Sequence, residues 1–445
     1  METSPMKETA TIEHTNNLVL QVALDFVVLD RALKVAREAV AGGIDWLEAG
    51  TPLLKAEGLE SVRALRREFP DHTIVADTKT MDAGRIEFEA AAKAGADVAV
   101  VMGAASESTI RECIETGRNY GIKVAVDLLN VEDFVGRAKQ VEDWGADIIY
   151  LHCPIDDQMQ GMDPFDKLRA LAPEVGIPVS VAGGLNSETI VDAAEAGAEI
   201  LIVGGAIAKS ADARAATAQI RQAALTGVRK GTTLYKRVGE DQIRDALLAA
   251  STANISDGNH RMPILDGIVP LVPGHKIAGP AVTVRTVPGD WSKPVLAIDQ
   301  AQPGDIIVVD AGGVGPTVWG ELATLSARQK NIAGVVINGT VRDSDDIRAL
   351  DFPVFCRGVC SRAGDPKGFG EIGAPLRISG VLIMQGDWIV ADSDGVLVLP
   401  RAKAVEMANR GMDCLETENR IRQEITSGKT TLGQVQQLLQ WEKTK

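Results

Sequence analysis

The chain reads TIVADTKTMD over residues 73–82, an apolar run followed directly by two acids and a lysine. The apolar run predicts a strand, and the charges lie where that strand should end. Because side chains alternate along a strand, we expect Asp77 and Lys79 on one face and Asp82 on the turn beyond the strand. An ammonium beside a carboxylate lowers the carboxylate pKa and stays charged, which suits Asp77 to metal or substrate binding and Lys79 to stabilising developing negative charge. The alternative is a surface salt bridge in a loop, the commoner setting for an isolated D-x-K.

Seven further apolar runs resemble this one, and a helix-like segment follows each of the eight. The predicted strands are Leu18–Asp25, Ile44–Gly50, Thr73–Lys79, Asp97–Gly103, Lys123–Leu128, Asp147–His152, Pro178–Ala182 and Glu199–Val203. Continuous apolar runs are typical of parallel strands buried between helices. A glycine-containing segment that ends a helix recurs about every 50 residues, at 42–45, 94–97, 144–147 and 196–199. Four copies of a two-strand unit predict a (β/α)8 TIM barrel over residues 17–226.

Polar groups and glycines lie at the carboxyl ends of these strands, where such barrels carry their reactive groups. The candidates are Asp25, Glu48, Asp77 with Lys79, Asp127 and His152, followed by Gly183-Gly184 and Gly204-Gly205. A lone histidine is more often structural, and a glycine pair is usually a turn. Glycine pairs after the last two strands, however, are where barrels commonly bind phosphate through backbone N–H groups. The set as a whole predicts one active site.

Composition and charge set the class of protein. The chain has 445 residues, of which 45% are apolar and 24% charged, enough for two domains with separate cores. A net charge of −15 disfavours nucleic-acid or anionic-membrane partners, so we expect phosphate to be bound locally. Residues 1–16 predict a flexible arm without a signal pattern, and no run reaches a membrane span, so we expect a soluble, cytoplasmic protein. The five cysteines lack C-x-x-C spacing and predict buried or free thiols.

The first domain resembles a known superfamily over its whole length. The resemblance rests on Ala23–Asp25, Glu48–Leu53, DTKTMD at 77–82, His152 and Ala182–Gly184. These segments are similar to the orotidine-monophosphate decarboxylase superfamily and, within it, most similar to 3-hexulose-6-phosphate synthase. The resemblance implies an aldolase dependent on Mg²⁺ or Mn²⁺. It would join formaldehyde reversibly to D-ribulose 5-phosphate and give D-arabino-hex-3-ulose 6-phosphate.

The resemblance also assigns roles to the DTKTMD motif and its neighbours. It implies that Glu48 and Asp77 are metal ligands and that Lys79 lies near the enediolate formed when C1 of the sugar phosphate loses a proton. Two enediolate oxygens can chelate a hard divalent ion held by carboxylates. In this family two barrels pair, so Asp82 would act in the site of its partner within a homodimer or larger homo-oligomer.

The same resemblance implies roles for the residues at the remaining strand ends. Asp25 would hydrogen-bond to substrate hydroxyls, His152 would transfer protons, and Asp127 would complete the catalytic group. The glycine pairs Gly183-Gly184 and Gly204-Gly205 would hold the phosphate.

A sister family, 3-keto-L-gulonate-6-phosphate decarboxylase, is the alternative. It typically has glutamate, arginine, threonine and arginine at four positions where this chain has Asp127, Ile155, Ala182 and Ala206. Without the two arginines, the cations expected beside a substrate carboxylate are missing. All four departures favour the synthase.

The sequence changes character after residue 226. Residues 227–236 predict a polar, glycine-containing linker, and residues 237–445 a second domain. A helical pattern spans Val238–Ala250, and helices are expected over 401–440. Strands are predicted at Ala281–Arg285, Asp305–Asp310, Gly334–Asn338, Val381–Met384 and Gly395–Leu399. This mixed order predicts a compact α/β layered domain.

The second domain has its own candidate residues, Glu321, Arg342 and Asp343. An arginine beside an aspartate after a buried strand can grip a carboxylate while the aspartate holds a metal, although such pairs are more often plain loop ion pairs. Residues 238–400 resemble the family of ribonuclease E inhibitor A proteins and 4-hydroxy-4-methyl-2-oxoglutarate aldolases. The resemblance implies that Arg342 binds a 2-oxo acid, Asp343 a divalent metal and Glu321 a water. The competing hypothesis is a non-catalytic binding and oligomerisation module.

Overall fold

The structure, a computed structural model, describes residues 18–232, 235–428 and 430–436. The predicted arm, residues 1–16, lies outside them. The chain divides into two compact units, one of Met1–Gln158, Met162–Lys236 and Asn419–Lys445, the other of Met159–Gly161 and Arg237–Glu418. The sequence placed everything from 237 onward in the second domain, whereas the segment from Asn419 groups with the first unit. The reason is a long-range contact: Arg420, almost fully buried, donates to Glu38 at 2.8 Å and to Glu424 at 3.0 Å.

The first unit is a closed barrel of eight parallel strands that pair in chain order, with β8 returning to β1. The strands are β1 (Val19–Leu24), β2 (Trp46–Ala49), β3 (Thr73–Thr80), β4 (Val98–Met102), β5 (Lys123–Asp127), β6 (Ile148–His152), β7 (Val179–Ala182) and β8 (Ile200–Val203). The predicted barrel is confirmed, and each strand lies within two residues of its predicted ends.

Helices follow the strands and cover the outside of the barrel. They are α1 (Leu29–Ala41), α2 (Thr51–Glu57), α3 (Glu60–Glu68), α4 (Gly84–Ala94), α5 (Glu107–Tyr120), α6 (Phe134–Trp144), α7 (Ile155–Met159), α8 (Phe165–Leu171), α9 (Thr189–Glu195), α10 (Gly205–Ala208) and α11 (Ala213–Thr226). Their apolar faces pack on alternate strand residues such as Leu20, Val22 and Leu24 in one continuous core.

The recurring glycine segment has a clear structural purpose. Gly95 and Gly145 end their helices with φ of +100° and +97°, the left-handed conformation that glycine adopts without strain. The aspartate two residues later binds the start of an adjacent strand: Asp97 accepts the N–H of Ile74 at 2.7 Å, and Asp147 accepts that of Val124 at 2.8 Å. The repeat therefore both stops a helix and fixes the start of the strand that precedes that helix.

Strand alternation decides which side chains enter the barrel. Ala23, Val75, Val100 and Ile202 belong to the core inside the barrel. Residues two positions further along the strands continue this inner face, and at the carboxyl ends it reaches the candidate polar residues. The eight strands thus direct these side chains to one end of the barrel.

The second unit is built on a mixed eight-stranded sheet. Its path runs β18-β17-β10-β11-β12-β13-β9, with β14 also paired to β10, and β15 and β16 form a separate hairpin. The strands are β9 (Val269–Pro270), β10 (Ile277–Arg285), β11 (Ile306–Asp310), β12 (Gly334–Val341), β13 (Val354–Val359), β14 (Glu371–Ile372), β15 (Leu376–Ile378), β16 (Val381–Ile383), β17 (Trp388–Asp392) and β18 (Gly395–Leu399). Strands β10 to β13 are parallel neighbours, and β17 joins β10 antiparallel.

Apolar side chains cover both faces of this sheet. Ile307 and Val309 pack into one core, while Ile306 and Val308 pack into another. The helices of this unit are α12 (Ile243–Ala249), α13 (Thr252–Gly258), α14 (Ser292–Gln300), α15 (Glu321–Gln329), α16 (Ser344–Ala349) and α17 (Ala404–Gly428) up to Glu418. The rest of α17 and the short α18 (Leu432–Val435) belong to the first unit. The predicted α/β layered domain is confirmed.

Several predicted boundaries in the second unit are wrong. The helix expected from Val238 begins only at Ile243, after a 3-10 turn at Glu240–Gln242, because Gly239 is extended with ψ near 180°. Strands β9, β13, β14, β15 and β17 were missed. The helices predicted over 401–440 are observed at Ala404–Gly428 and Leu432–Val435, and residues 437–440 lie outside the described residues. Among the residues that the structure describes, no helix is both long and apolar enough to cross a membrane.

Candidate active site

The DTKTMD motif forms an irregular strand end that turns Lys79 into the barrel mouth. Strand β3 pairs regularly with β4 up to Ala76, and pairing then resumes with Thr80 opposite Val101. Within this bulge Lys79 has φ of +44°, a conformation that costs energy for a residue with a side chain. The Lys79 ammonium lies 3.2 Å from Asp77 Oδ2 and 2.9 Å from Asp127 Oδ2. The motif is therefore an interior charge cluster and not a surface salt bridge.

The charges of this cluster are fixed by their neighbours. Burial alone would lower the pKa of Lys79, but the carboxylates of Asp127 and Asp77 outweigh it and raise that pKa above its usual value. Burial would likewise raise the pKa of Asp127, yet the adjacent His152 imidazole and the charge of Lys79 lower it. His152 Nδ1 lies 3.6 Å from Asp127 Oδ2. Lys79 is thus held as a cation and Asp127 as an anion, which excludes neutral Lys79 as a base.

Three carboxylates at the same end of the barrel repel one another. Burial, followed by the charges of Asp77 and Asp25, raises the pKa of Glu48 well above its usual value. Asp25 projects from the barrel mouth, but atoms surround its carboxylate on most sides, and this desolvation with the charge of Asp77 raises its pKa too. A positive charge placed among these groups would relieve the repulsion.

One carboxylate oxygen in this group is unsatisfied. Asp77 Oδ2 accepts a hydrogen bond from the Thr51 hydroxyl at 2.7 Å, but buried Oδ1 has no hydrogen-bond partner within residues 18–232, 235–428 and 430–436. Mg²⁺ prefers carboxylate oxygens and is usually held by one or two of them, with water and substrate completing its shell. Asp77 and Glu48 therefore fit a divalent cation.

Sequence reasoning missed the residues that support Glu48. Gln21 is fully buried inside the barrel, and its side-chain amide donates to Glu48 Oε2. The Tyr150 hydroxyl, 3.1 Å from Gln21 Nε2, completes the group, and burial followed by the charge of Glu48 raises the Tyr150 pKa so that it stays neutral. The sequence did contain one sign of this group, because Gln21 is a polar residue in the middle of the apolar run of β1.

Glycine at position 50 leaves room for the Asp25 carboxylate. A Cβ on Gly50 would lie 2.1 Å from Asp25 Oδ1, closer than any real contact. On the other side, a Cβ on Gly204 would be 3.8 Å from Asp25 Oδ2. The Asp25 carboxylate thus lies between the ends of β2 and β8. This position accounts for the glycine within the segment Glu48–Leu53.

The predicted phosphate-binding glycines follow β7 and β8, at the same end of the barrel. Gly183 and Gly184 have φ of +119° and +70°, so this turn requires glycine. Gly204 and Gly205 lead into the short helix α10. Their shared position is as expected, and phosphate binding stays a prediction.

Asp82 lies outside the cluster. Its carboxylate accepts the backbone N–H of Ala83 at 2.7 Å in an exposed turn. The neighbouring Met81 and Ile86 side chains are 53% and 70% exposed. The structure of one chain brings Asp25, Glu48, Asp77, Lys79, Asp127 and His152 together at one end of the barrel and leaves Asp82 on the surface.

In the second unit Arg342 and Asp343 lie together, and Glu321 joins them through its backbone N–H. Arg342 Nε lies 3.5 Å from Asp343 Oδ2, and the same oxygen accepts the backbone N–H of Glu321 at 3.1 Å. Asp343 has φ of +53°, a left-handed conformation at the start of α16. The group is at the surface, since the side chains of Arg342 and Asp343 are 46% and 36% exposed. A carboxylate ligand can reach this arginine from solvent.

A closed parallel barrel with acids, a lysine and a histidine at the carboxyl ends of its strands has the architecture of a barrel enzyme. Residues 19–220 match the family model described as Orotidine 5'-phosphate decarboxylase / HUMPS family. The chain is 40% identical over 204 residues to a 3-hexulose-6-phosphate synthase of Mycobacterium gastri, covering 46% of this chain and 98% of that protein. It is 42% identical over 201 residues to the synthase of Methylomonas aminofaciens, covering 45% and 96%. The chain belongs to this family, and its barrel is an enzyme domain.

The second unit matches a different family. Residues 252–398 match the model described as RraA-like: Aldolase/RraA. A solved structure titled as the RNA-processing inhibitor RraA from Thermus thermophilis is 29% identical with a TM-score of 0.32, covering 34% of this chain and 93% of that one. The resemblance stated for each half of the sequence is confirmed.

Proposed function

We propose that the barrel is a 3-hexulose-6-phosphate synthase that condenses formaldehyde with D-ribulose 5-phosphate. The observation that carries the proposal is the Lys79 ammonium held between Asp77 and Asp127 inside the barrel mouth. Two relatives that carry the name of this enzyme support the proposal. The match covers more than 95% of the length of each. A fixed cation of this kind stabilises an anion that forms during the reaction, which is the requirement of an aldol condensation.

The reaction needs one proton removed and one carbon–carbon bond formed. C1 of ribulose 5-phosphate loses a proton, negative charge develops on the sugar oxygens, and C1 attacks the formaldehyde carbon, whose oxygen gains a proton. Lys79 stabilises the developing charge, while His152, held near Asp127, moves the proton. A bound Mg²⁺, held by Glu48 and Asp77, would supply a Lewis acid for the sugar carbonyl oxygen. Asp25, at the mouth of the barrel, orients the sugar hydroxyls.

The sister decarboxylase is the proper comparison, because it uses a similar intermediate. Ala206 is buried and Ile155 projects to solvent, so neither position supplies a cation for a substrate carboxylate. We therefore expect the intact chain to consume formaldehyde with D-ribulose 5-phosphate and to leave 3-keto-L-gulonate 6-phosphate unchanged when both assays run in parallel. Release of carbon dioxide from the gulonate, with no consumption of formaldehyde, would overturn the proposal.

We propose further that the barrel acts as a homodimer in which Asp82 enters the partner's site. The exposed turn at Asp82, flanked by the exposed apolar side chains of Met81 and Ile86, supports this arrangement. Inactive Asp82→Ala and Lys79→Ala chains refolded together should regain roughly a quarter of wild-type activity, because about half the dimers are mixed and each holds one intact site. If mass spectrometry finds mixed dimers but no activity returns, Asp82 acts within its own barrel.

For the second unit we propose a metal-dependent 2-oxo acid aldolase. Arg342 would bind the substrate carboxylate, Asp343 the divalent ion and Glu321 a water. The contact of Arg342 with Asp343, beside the backbone of Glu321, supports the assignment. Pyruvate release from 4-hydroxy-4-methyl-2-oxoglutarate should require Mg²⁺ and disappear in Arg342→Gln. A chain that releases no pyruvate under either condition would leave this unit as a binding and oligomerisation module.

A further inference from the structure

The second unit contains a cavity that none of the proposed functions uses. Its volume is about 300 Å³, and its walls include Ile243 of α12, Pro280 of β10 and Val405 of α17. Pro280 and Trp388 are partners in the antiparallel pair of β10 and β17. The cavity therefore borders the amino-terminal half of β10, whereas Arg342 and Asp343 follow the carboxyl end of β12, a parallel neighbour of β11 in the same sheet. It is a separate place from the candidate aldolase site.

Two arginines whose guanidinium groups form no ion pair within the described residues border this cavity. Arg401 lines it directly, and the Arg244 guanidinium lies 5.8 Å from the centre of the Trp388 ring. Neither guanidinium has an ion pair or a hydrogen bond with any residue that the structure describes. In a chain with 61 acidic and 46 basic residues, carboxylate partners are plentiful, so two arginines without a carboxylate partner among the described residues, both beside one cavity, point to an anionic ligand.

The backbone at Arg401 and the side chain of Arg244 are both held by their surroundings. The backbone N–H of Arg401 donates to Asp387 Oδ1 at 3.0 Å, and Asp387 is itself buried, whereas the Arg401 side chain is exposed. The Arg244 guanidinium lies against Gly304, where a Cβ would come within 2.7 Å of its Nη1. A side chain packed in the way that Arg244 is loses less entropy when it binds a ligand.

The wall formed by Trp388 is flat, apolar and accessible. Its indole is half-buried, and the indole N–H has no hydrogen-bond partner in the described part of the chain. Aromatic faces favour stacking with flat ligands, and a buried or half-buried indole N–H usually finds an acceptor. The cavity thus combines a stacking surface and a donor with the two cations.

The carboxylate of Glu240 and the volume of the cavity limit the class of ligand that can bind. Glu240 brings a carboxylate to the lining of the cavity, which disfavours a ligand with a second negative charge. About 300 Å³ is at the lower end of the usual range for ligand sites, too small for a nucleotide cofactor. We propose that this cavity binds a small aromatic monocarboxylate, with the carboxylate paired to Arg401 and the ring against Trp388.

Calorimetric titration of the full chain tests the proposal. The probes are benzoate, 4-hydroxybenzoate and 4-hydroxycinnamate, with benzamide as the uncharged control. At least one acid should bind with one-to-one stoichiometry, and benzamide should bind at least tenfold more weakly. Arg401→Gln should weaken the acid about tenfold or more, because a charge-assisted pair is lost. Arg377→Gln, which removes the same charge from the exposed residue of β15, is the matched control and should bind as wild type.

Substitutions at Trp388 and Arg342 decide whether the acid binds in this cavity or at the candidate aldolase site. Trp388→Phe should retain most of the affinity, since it keeps an aromatic face, whereas Trp388→Ala should lose it with the fold intact by circular dichroism. Arg342→Gln should bind the acid as wild type. The proposal is overturned if none of the three acids binds, if Arg401→Gln binds unchanged, or if Arg342→Gln abolishes binding.

Discussion

Replacing Lys79 by alanine removes the cation that lies between Asp77 and Asp127. The Asp127 side chain is fully buried and that of Asp77 is 8% exposed, so little water reaches either carboxylate. The two carboxylates would then repel each other in a desolvated site. Both catalysis and stability depend on this charge.

The expected losses of activity and of stability in Lys79→Ala can be estimated. Removing a single donor that stabilises a developing anion typically costs about 10²- to 10³-fold in kcat, and a buried ammonium should cost at least as much. Breaking one partner of a buried ion pair destabilises a protein by about 3–5 kcal/mol. For a unit of this size, each kcal/mol shifts Tm by about 2–4 °C, so the barrel should melt about 6–20 °C lower.

Steady-state kinetics with D-ribulose 5-phosphate and formaldehyde, run well below the lowered Tm, separate the two effects. Lys93→Ala is the matched control, because Lys93 is an exposed lysine paired with Glu89 on α4. The control should keep wild-type kcat and Tm. If Lys79→Ala keeps kcat within tenfold of wild type, the Lys79 charge serves only as a structural ion pair and the proposed role is wrong.

Removing divalent metal with EDTA should abolish the condensation and added Mg²⁺ should restore it; full turnover in a rigorously metal-free sample would contradict metal ligation by the acids. Gln21→Leu should raise the Mg²⁺ concentration needed for half-maximal activity about 10- to 100-fold, because Glu48 loses the donor that orients it; an unchanged requirement would remove Gln21 from the site. Burial, with the charges of Glu87 and Glu112, raises the pKa of Cys113 to about 12. At pH 8 that thiol stays protonated, so iodoacetamide should label partly exposed Cys360 and leave Cys113 unmodified; mass spectrometry showing equal labelling of the folded protein would refute this.

The barrel was predictable because its signals are local and repeated. Each strand is a continuous apolar run, and the glycine and aspartate of the repeat mark the same junction, as at Gly95 and Asp97. The position of the acids at the strand ends followed from the fold. Their charge states did not, because these depend on distances between strands far apart in sequence.

The features that sequence reasoning missed arise from tertiary contacts. The left-handed backbone at Lys79 belongs to a bulge, which no run of residue types marks. Gln21 lies 27 residues from its partner Glu48, so their contact exists only once β1 and β2 pair. Strand β17 was missed although four apolar residues lie between Asp387 and Asp392, and its pairing with β10 decides its conformation.

The most direct test of the central claim follows the formaldehyde carbon. The purified chain is incubated with Mg²⁺, ¹³C-formaldehyde and D-ribulose 5-phosphate labelled with ¹³C at C1, and the mixture is followed by NMR. We expect the formaldehyde signal to fall as a hydroxymethyl carbon appears with one-bond coupling to the former C1 of the sugar, in the wild type and not in Lys79→Ala. A formaldehyde signal that stays constant, with no coupled carbon formed, would contradict the assignment of the barrel as a 3-hexulose-6-phosphate synthase.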